Sequence, residues 1–147
     1  MLKTIQSVLR LPLRLLRRAL DTGFVPVTLN PLRHLGSLTI FFCWIVLVSG
    51  IWLFIFFRTS VNGAYDSVQY LTHQQWYLAG VMRSPHRYAS DAAIITLVLH
   101  IVREFAFDRY RGNRWFSWFT GMPLLWLLIP LGITGYWLVW DQLAQYV

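Results

Sequence analysis

Apolar runs alternate with short, arginine-bearing polar segments along this chain, and the alternation predicts its elements. Residues 35–57 hold 23 positions without a charged side chain. One helix of that length crosses a hydrocarbon layer roughly 30 Å thick. A second helix is predicted over about residues 85–107 and a third over about 115–140. Pro123 and Pro130 fall inside the third and are expected to bend it, which neighbouring helices tolerate by satisfying the freed carbonyls. Trp115, Trp118, Trp137 and Trp140, near its ends, read as interfacial anchors. The segment between the first two helices, 58–83, is polar and aromatic, with short interfacial helices expected around Tyr70 and Trp76.

Ahead of the first span the pattern changes. Within residues 1–22, Arg10, Arg14, Arg17 and Arg18 recur at helical spacing, and Ile5, Val8, Leu9, Leu13, Leu16 and Leu20 supply an apolar side. This predicts a basic amphipathic helix lying on a membrane surface, interrupted near Pro12. Its charges are interleaved with apolar residues and no small-residue cleavage site follows, so it is not read as a signal or transit peptide. Residues 23–32, with Pro26 and Pro31, read as an irregular connector. The fold expected is therefore an all-α membrane protein: a surface helix over 1–22, then a bundle of three transmembrane helices within 23–147.

Composition and charge sharpen this. With 56% hydrophobic and only 13% charged residues, the chain is too apolar for an ordinary soluble domain. Its net charge of +7 flanks the apolar runs instead of forming one polar patch, which fits topology and anionic lipid and not nucleic acid. Six basic residues precede the first helix and four (Arg103, Arg109, Arg111, Arg114) separate the second from the third, against three (Arg58, Arg83, Arg87) in the other loop. The positive-inside bias therefore puts the N-terminus on the cytoplasmic side and the C-terminus on the outer side. The single cysteine, Cys43, excludes an intrachain disulfide and a C-x-x-C-H haem attachment.

The candidate chemistry lies on the second helix. His86 and His100 are 14 residues apart. On an α-helix that step turns through about 1400°, close to whole turns, and rises about 21 Å. Both imidazoles therefore leave one face near opposite edges of the bilayer. Such a pair reads as one axial ligand to each of two haems, or as two histidines wetted at the interfaces. Glycines favour the first reading. Gly36 and Gly50 on the first helix, and Gly121 and Gly135 on the third, repeat the same 14-residue step. With alternating helix directions, Gly36, His100 and Gly121 share one depth, and Gly50, His86 and Gly135 the other. A flat macrocycle at each depth needs this clearance, although small residues also serve plain helix packing. Arg103 and Arg83, each three residues from a histidine, suit carboxylates such as haem propionates, or are ordinary flanking charge.

At this point the residues match a family. The stretches 67–70 (SVQY), 83–90 (RSPHRYAS), 99–103 (LHIVR), 118–121 (WFTG) and 132–142 (GITGYWLVWDQ) resemble the N-terminal part of cytochrome b, nearest its short form, cytochrome b6. Val25-Pro26 and Leu35-Gly36 resemble it too, so the likeness runs from about residue 24 to 142 with order and spacing kept. The resemblance implies a helix bundle holding two b haems that carry electrons across the membrane between quinone sites. It implies His86 as the outer-side and His100 as the inner-side haem iron ligand. Gly36, Gly50, Gly121 and Gly135 match the family's haem-facing glycines, and Arg83 and Arg103 its propionate-binding arginines.

Departures from the family set further expectations. The short form has a fourth helix with a second pair of histidines, which this sequence does not contain. A partner membrane subunit is expected to supply it, so that each haem b is shared between chains; a homodimer is the variant. Iron–sulfur or cytochrome subunits and quinone are the other partners implied. His34 stands where the chloroplast-type relative has the cysteine for a covalently attached extra haem, so that haem is not expected, while His34 still approaches an inner-side ligand. Val139 replaces a proline beside the outer quinol pocket. The quinol-oxidising motif of the C-terminal half is absent, so the chain is expected to be an electron-transfer subunit and not catalytic alone. The rival from another class is a non-redox membrane anchor that kept the helices and lost the cofactors. A small transporter using Asp91 is a third reading.

Overall fold

Helix α1, Leu2–Asp21, places its apolar side chains along one side and its arginines along another. It runs unbroken through Pro12, against the expected interruption. Proline at that position removes the N–H that the Val8 carbonyl would accept. Both residues are exposed, so polar surroundings can satisfy the carbonyl without breaking the helix. The computed structural model describes residues 1–21, 27–60, 62–139 and 142–146. The last residue of the expected surface helix (22), part of the expected connector (23–26, with Gly23 and the Val25-Pro26 pair) and the expected anchor Trp140 lie outside the described residues.

The described part of the connector is more ordered than its composition predicts. It forms two 3₁₀ turns, Val27–Leu29 and Pro31–Arg33. Asn30 caps the second: its side-chain oxygen accepts the Leu32 N–H at 2.9 Å, and its amide donates to Asp21 Oδ1 at 2.7 Å. That side chain is fully buried, so both ends of the amide need these partners.

Among the described residues the chain is helical, without strands. Helix α2 is Leu35–Phe56, α3 Ala64–His73, α4 Val81–Ala106, α5 Trp115–Trp137 and α6 Gln142–Gln145. Helix α3 covers the expected interfacial helix around Tyr70, and a π-helical turn, Trp76–Gly80, leads into α4. Helix α4 begins four residues before Pro85, where the sequence pattern starts it. A proline near a helix start displaces few intrahelical bonds.

Among the described residues, two segments are long and apolar enough to cross a membrane: Leu35–Phe56 and Gly112–Trp137. Helix α4 is equally long, at 26 residues. It carries Arg83, His86, Arg87, Asp91, His100, Arg103 and Glu104, which lower its apolarity below that of the other two. Large side chains on α2 and α5, including Trp44, Ile55, Trp126 and Leu127, are exposed. The buried apolar residues are mostly alanines, as expected where helices pack through small side chains.

The residues form two compact units. The first joins Met1–Thr39 with Ile94–Trp126. In it, α1 closes the C-terminal end of α4, where the last carbonyls have no intrahelical donor. Gln6, 4% exposed, donates to the Phe105 carbonyl at 3.1 Å, and Arg10 Nε donates to the Ala106 carbonyl. Asp108 then turns the chain with φ 57°, a left-handed conformation that aspartate tolerates. Rings of Phe105, Tyr110 and Trp118 pack at centroid distances of 5.5–6.4 Å and fix the start of α5. The second unit joins Ile40–Ala93 with Leu127–Val147. There α3 buries Ala64, Ser67 and Leu71, and Ser67 Oγ accepts the Arg58 N–H at 3.3 Å.

Candidate functional site

Within the first unit, Gly36 of α2 faces His100 of α4. A Cβ at Gly36 would lie 3.2 Å from His100 Cε1 and 3.4 Å from Nε2, so a bare backbone is what lets the imidazole lie there. Three residues further along α2, Thr39 Oγ1 donates to the Leu35 carbonyl at 2.9 Å and lies within hydrogen-bond distance, 3.1 Å, of Thr96 Oγ1, tying the two helices. The Nδ1 of His100 is buried without a hydrogen-bond partner. Buried polar atoms are ordinarily paired, so this one marks a place where a group is wanting.

A cleft of about 410 Å³ opens beside His100 and is lined by Gly36, His34, Arg103 and Gly121 among others. That volume lies in the range of small-molecule and cofactor sites. Arg33, Arg109 and Arg114 also line it, with Glu104 as the acidic member. Glu104 pairs with Arg109 at 3.6 Å and Arg114 at 3.9 Å, and Arg33 pairs with Asp21 at 3.3 Å. Arg103 Nη1 donates to the Arg33 carbonyl at 3.3 Å, an uncharged acceptor. Arg103 lines the cleft with no ion pair to a carboxylate within 4 Å among the described residues, although Glu104 acts on it electrostatically, and guanidinium there suits an anionic oxygen. The imidazole of His34 lines the same cleft, with Nε2 donating to the Thr28 carbonyl at 2.9 Å.

The second unit repeats the pairing. Gly50 faces His86: a Cβ there would lie 3.1 Å from His86 Cε1 and 3.6 Å from Nδ1. Ser49 Oγ lies 2.9 Å from His86 Nδ1. Arg83 Nη1 donates to Thr72 Oγ1 at 2.7 Å and is exposed.

The structure therefore brings Gly36 to His100 and Gly50 to His86, and adds His34, Arg103 and Gly121 to the first of these sites. It does not bring Gly135 against a neighbour: a Cβ at Gly135, as at Gly121, would meet nothing within 4 Å. The pattern of apolar and polar positions missed Ser49, Thr39 and Thr72. Ser49 and Thr39 were visible only as hydroxyls interrupting an apolar helix. Arg33, Arg109 and Arg114 counted toward topology alone; the turn before α2 brings the first beside His100, and the turn after α4 brings the other two.

Each site thus offers one imidazole beside an uncovered glycine backbone. Among the described residues no three His, Cys, Asp or Glu side chains gather as a metal site. The donor set suits a metal carried in a macrocycle that brings donors of its own, which His86 and His100 would hold through a ring nitrogen. An all-helical chain with these paired sites belongs with membrane cytochromes, and the comparisons place it among them. The family model described as Cytochrome b/b6/petB matches residues 21–147, and the chain belongs to that family. It is 28% identical over 137 residues to cytochrome b6 of Prochlorothrix hollandica, covering 93% of this chain and 61% of the relative. It is 29% identical over 127 residues to that of Parasynechococcus marenigrum (86% and 58%), and 27% identical over 137 to that of Acaryochloris marina (93% and 63%). The chain spans about three fifths of the length of these curated relatives.

Proposed function

We propose that this chain is a haem-holding part of a cytochrome b-type electron-transfer subunit, with His86 and His100 each giving one axial ligand to a haem b. The observation that carries the reading is the repeated contact of an α4 imidazole with an α2 glycine, Gly36 with His100 and Gly50 with His86. The unpaired Nδ1 of His100 and the arginine-lined cleft beside it support the same group.

Haem, when bound, supplies a one-electron Fe(III)/Fe(II) couple. The chain's own residues bind and tune it. His86 and His100 hold iron through one ring nitrogen each. Gly36 and Gly50 keep the α2 backbone bare, and Gly121 and Gly135 do the same on α5. Arg103 and Arg83 neutralise propionates, as guanidinium does for carboxylates. His34 contributes to the inner-side site as a cleft wall. Any further ligands to the iron would come from outside these residues. Quinone and iron–sulfur or cytochrome subunits are the redox partners in this reading.

Helix α4 is the third membrane span in the same proposal. Its charges gather near its ends, leaving residues 92–102 uncharged, and ionisable groups inside a bilayer persist where they have work or a partner. The excess of basic residues before α2 and between α4 and α5 orients the N-terminus toward the cytoplasmic side and the C-terminus toward the outer side.

The test is a reduced-minus-oxidised visible spectrum, with a pyridine haemochrome assay, of the complex purified through this chain. Two b haems per copy are expected, with His86→Ala and His100→Ala each removing one and leaving the chain in the membrane. A well-folded complex without haem overturns the proposal and favours the anchor reading.

A further inference from the structure

We infer that Ser49 is a positioning residue for His86, fixing which ring nitrogen carries the proton and making His86 a more electron-rich ligand than His100. The inference rests on the proposal that His86 binds haem iron. Ser49 is 3% exposed, so water does not compete for its hydroxyl. Its Oγ lies within hydrogen-bond distance of the Ile45 carbonyl and 3.3 Å from that of Val46, the back-bonding usual for serine inside a helix. A carbonyl only accepts, and a serine has one hydroxyl proton, so that proton points back into α2. What faces His86 Nδ1, at 2.9 Å, is then a lone pair of Oγ. Two lone pairs at that distance repel, so Nδ1 carries the imidazole proton and donates it to Ser49.

Two consequences follow for His86. The tautomer leaves Nε2 with a free lone pair, the form that binds a metal. The Nδ1–H···O bond also raises ligand basicity, as hydrogen bonds from the second nitrogen of metal-bound histidines do. A more basic axial ligand favours the oxidised iron and lowers the midpoint potential. Gly50 holds the other side of the ring, with Cε1 3.1 Å from where a Cβ would be, so the imidazole is fixed by two successive residues of one helix turn.

His100 lacks this device. The residue before Gly36 is Leu35, which has no hydroxyl, and Thr39 donates its proton to the Leu35 carbonyl, with Thr96 Oγ1 3.1 Å from it. The Nδ1 of His100 has no hydrogen-bond partner. The same glycine–imidazole contact is therefore built twice, once with a serine behind the ring and once without. The serine separates the two sites electronically.

The experiment is a redox titration of both haems, with low-temperature electron paramagnetic resonance, in the purified complex carrying Ser49→Ala or Ser49→Thr. The haem held by His86 is identified as the one lost in His86→Ala. In Ser49→Ala that haem's midpoint potential is expected to rise and its low-spin signal to shift, with the other haem unchanged. Its retention during dilution is expected to weaken about tenfold, the lower end of the effect of removing such a hydrogen bond. Ser49→Thr keeps a hydroxyl and should restore wild-type values. Unchanged potential and signal in Ser49→Ala, or a shift confined to the other haem, overturns the inference. If Ser49→Ala does not accumulate, Ser49→Cys decides. A thiol fills the space but accepts weakly, so the same upward shift is expected, and no shift overturns the inference. A wild-type complex without haem instead fails the underlying proposal, which keeps the two failures distinct.

Discussion

The imidazole of His100 lies on Gly36 so closely that one methyl group separates tolerance from collision. A Cβ at Gly36 would stand 3.2 Å from Cε1, a spacing at which the ring must give by a few tenths of an ångström. Gly36→Ala is expected to keep the haem held by His100 but shift its absorption and potential. Gly36→Val, whose branches enter the ring's space, should lose that haem while the His86 haem remains. Alanine and valine variants that both keep a wild-type reduced-minus-oxidised spectrum would count against His100 as a ligand.

Arg103 lines the cleft and rests on a backbone carbonyl, and Glu104 beside it keeps Arg109 and Arg114 as partners when Arg103 is replaced. A guanidinium beside a haem stabilises the reduced, more negative state. Arg103→Gln is therefore expected to lower the potential of the His100 haem and to loosen its retention by about tenfold to a hundredfold, the value of about 1.5–3 kcal/mol for a hydrogen bond to a charged group. Redox titration and a haem-transfer assay measure both. A potential that rises would contradict the placement of the charge.

The helix that seals α4 should matter to the same site. Gln6 and Arg10 supply donors to the Phe105 and Ala106 carbonyls at the end of α4, the first of which also accepts the Asp108 N–H at 3.1 Å. Gln6→Ala is expected to destabilise the end of α4 by about 1 kcal/mol, the usual net value of one hydrogen bond. Hydrogen exchange resolved to peptides should show faster exchange at residues 101–109 and no change in α3. Equal exchange in Gln6→Ala and the wild type would make the contact incidental.

Acid should release the connector from α1 before it affects the helices. The Asn30 amide, then Arg33 and Arg17, hold the Asp21 carboxyl below its ordinary pKa against a smaller desolvation effect. A carboxylate with a depressed folded pKa contributes stability above its unfolded pKa of about 3.9, and that contribution is lost as pH falls through the folded value. Proteolysis near residues 27–33 is therefore expected to be pH-independent from neutrality to about pH 5 and to rise below about pH 4. In Asn30→Ala it should be raised throughout, because the 3₁₀ cap is gone as well, a change of about 1 kcal/mol. An Asn30→Ala profile that matches wild type would refute the staple.

How far the sequence discloses this structure differs from element to element. Helices α2 and α5 are legible because an uncharged run of more than 20 residues has few other stable forms. The approach of Gly36 to His100 and of Gly50 to His86 follows from the shared 14-residue step, whereas Gly121 and Gly135, with the same step, meet no neighbour within 4 Å. Pro12 misleads, because the rule that proline breaks helices concerns buried carbonyls and Val8 is exposed. The turns of the connector are hidden behind two prolines, and only the burial of Asn30 shows that they are built. Ser49 could not be singled out at all. A hydroxyl inside an apolar helix ordinarily bonds its own backbone, and its second role appears only when another helix delivers an imidazole to it.

The alanine-rich interior has a consequence for how this chain can change. Ala79 and Ala106 are fully buried, and Ala89 and Ala93 nearly so. Positions such as Trp126 and Ile55, large and uncovered, have room for almost any apolar side chain. The usual rule of mutation is thereby inverted. In a saturation library read out by haem content, the smallest residues should be the least replaceable and the bulkiest the most interchangeable, because here every added methylene pushes two helices apart.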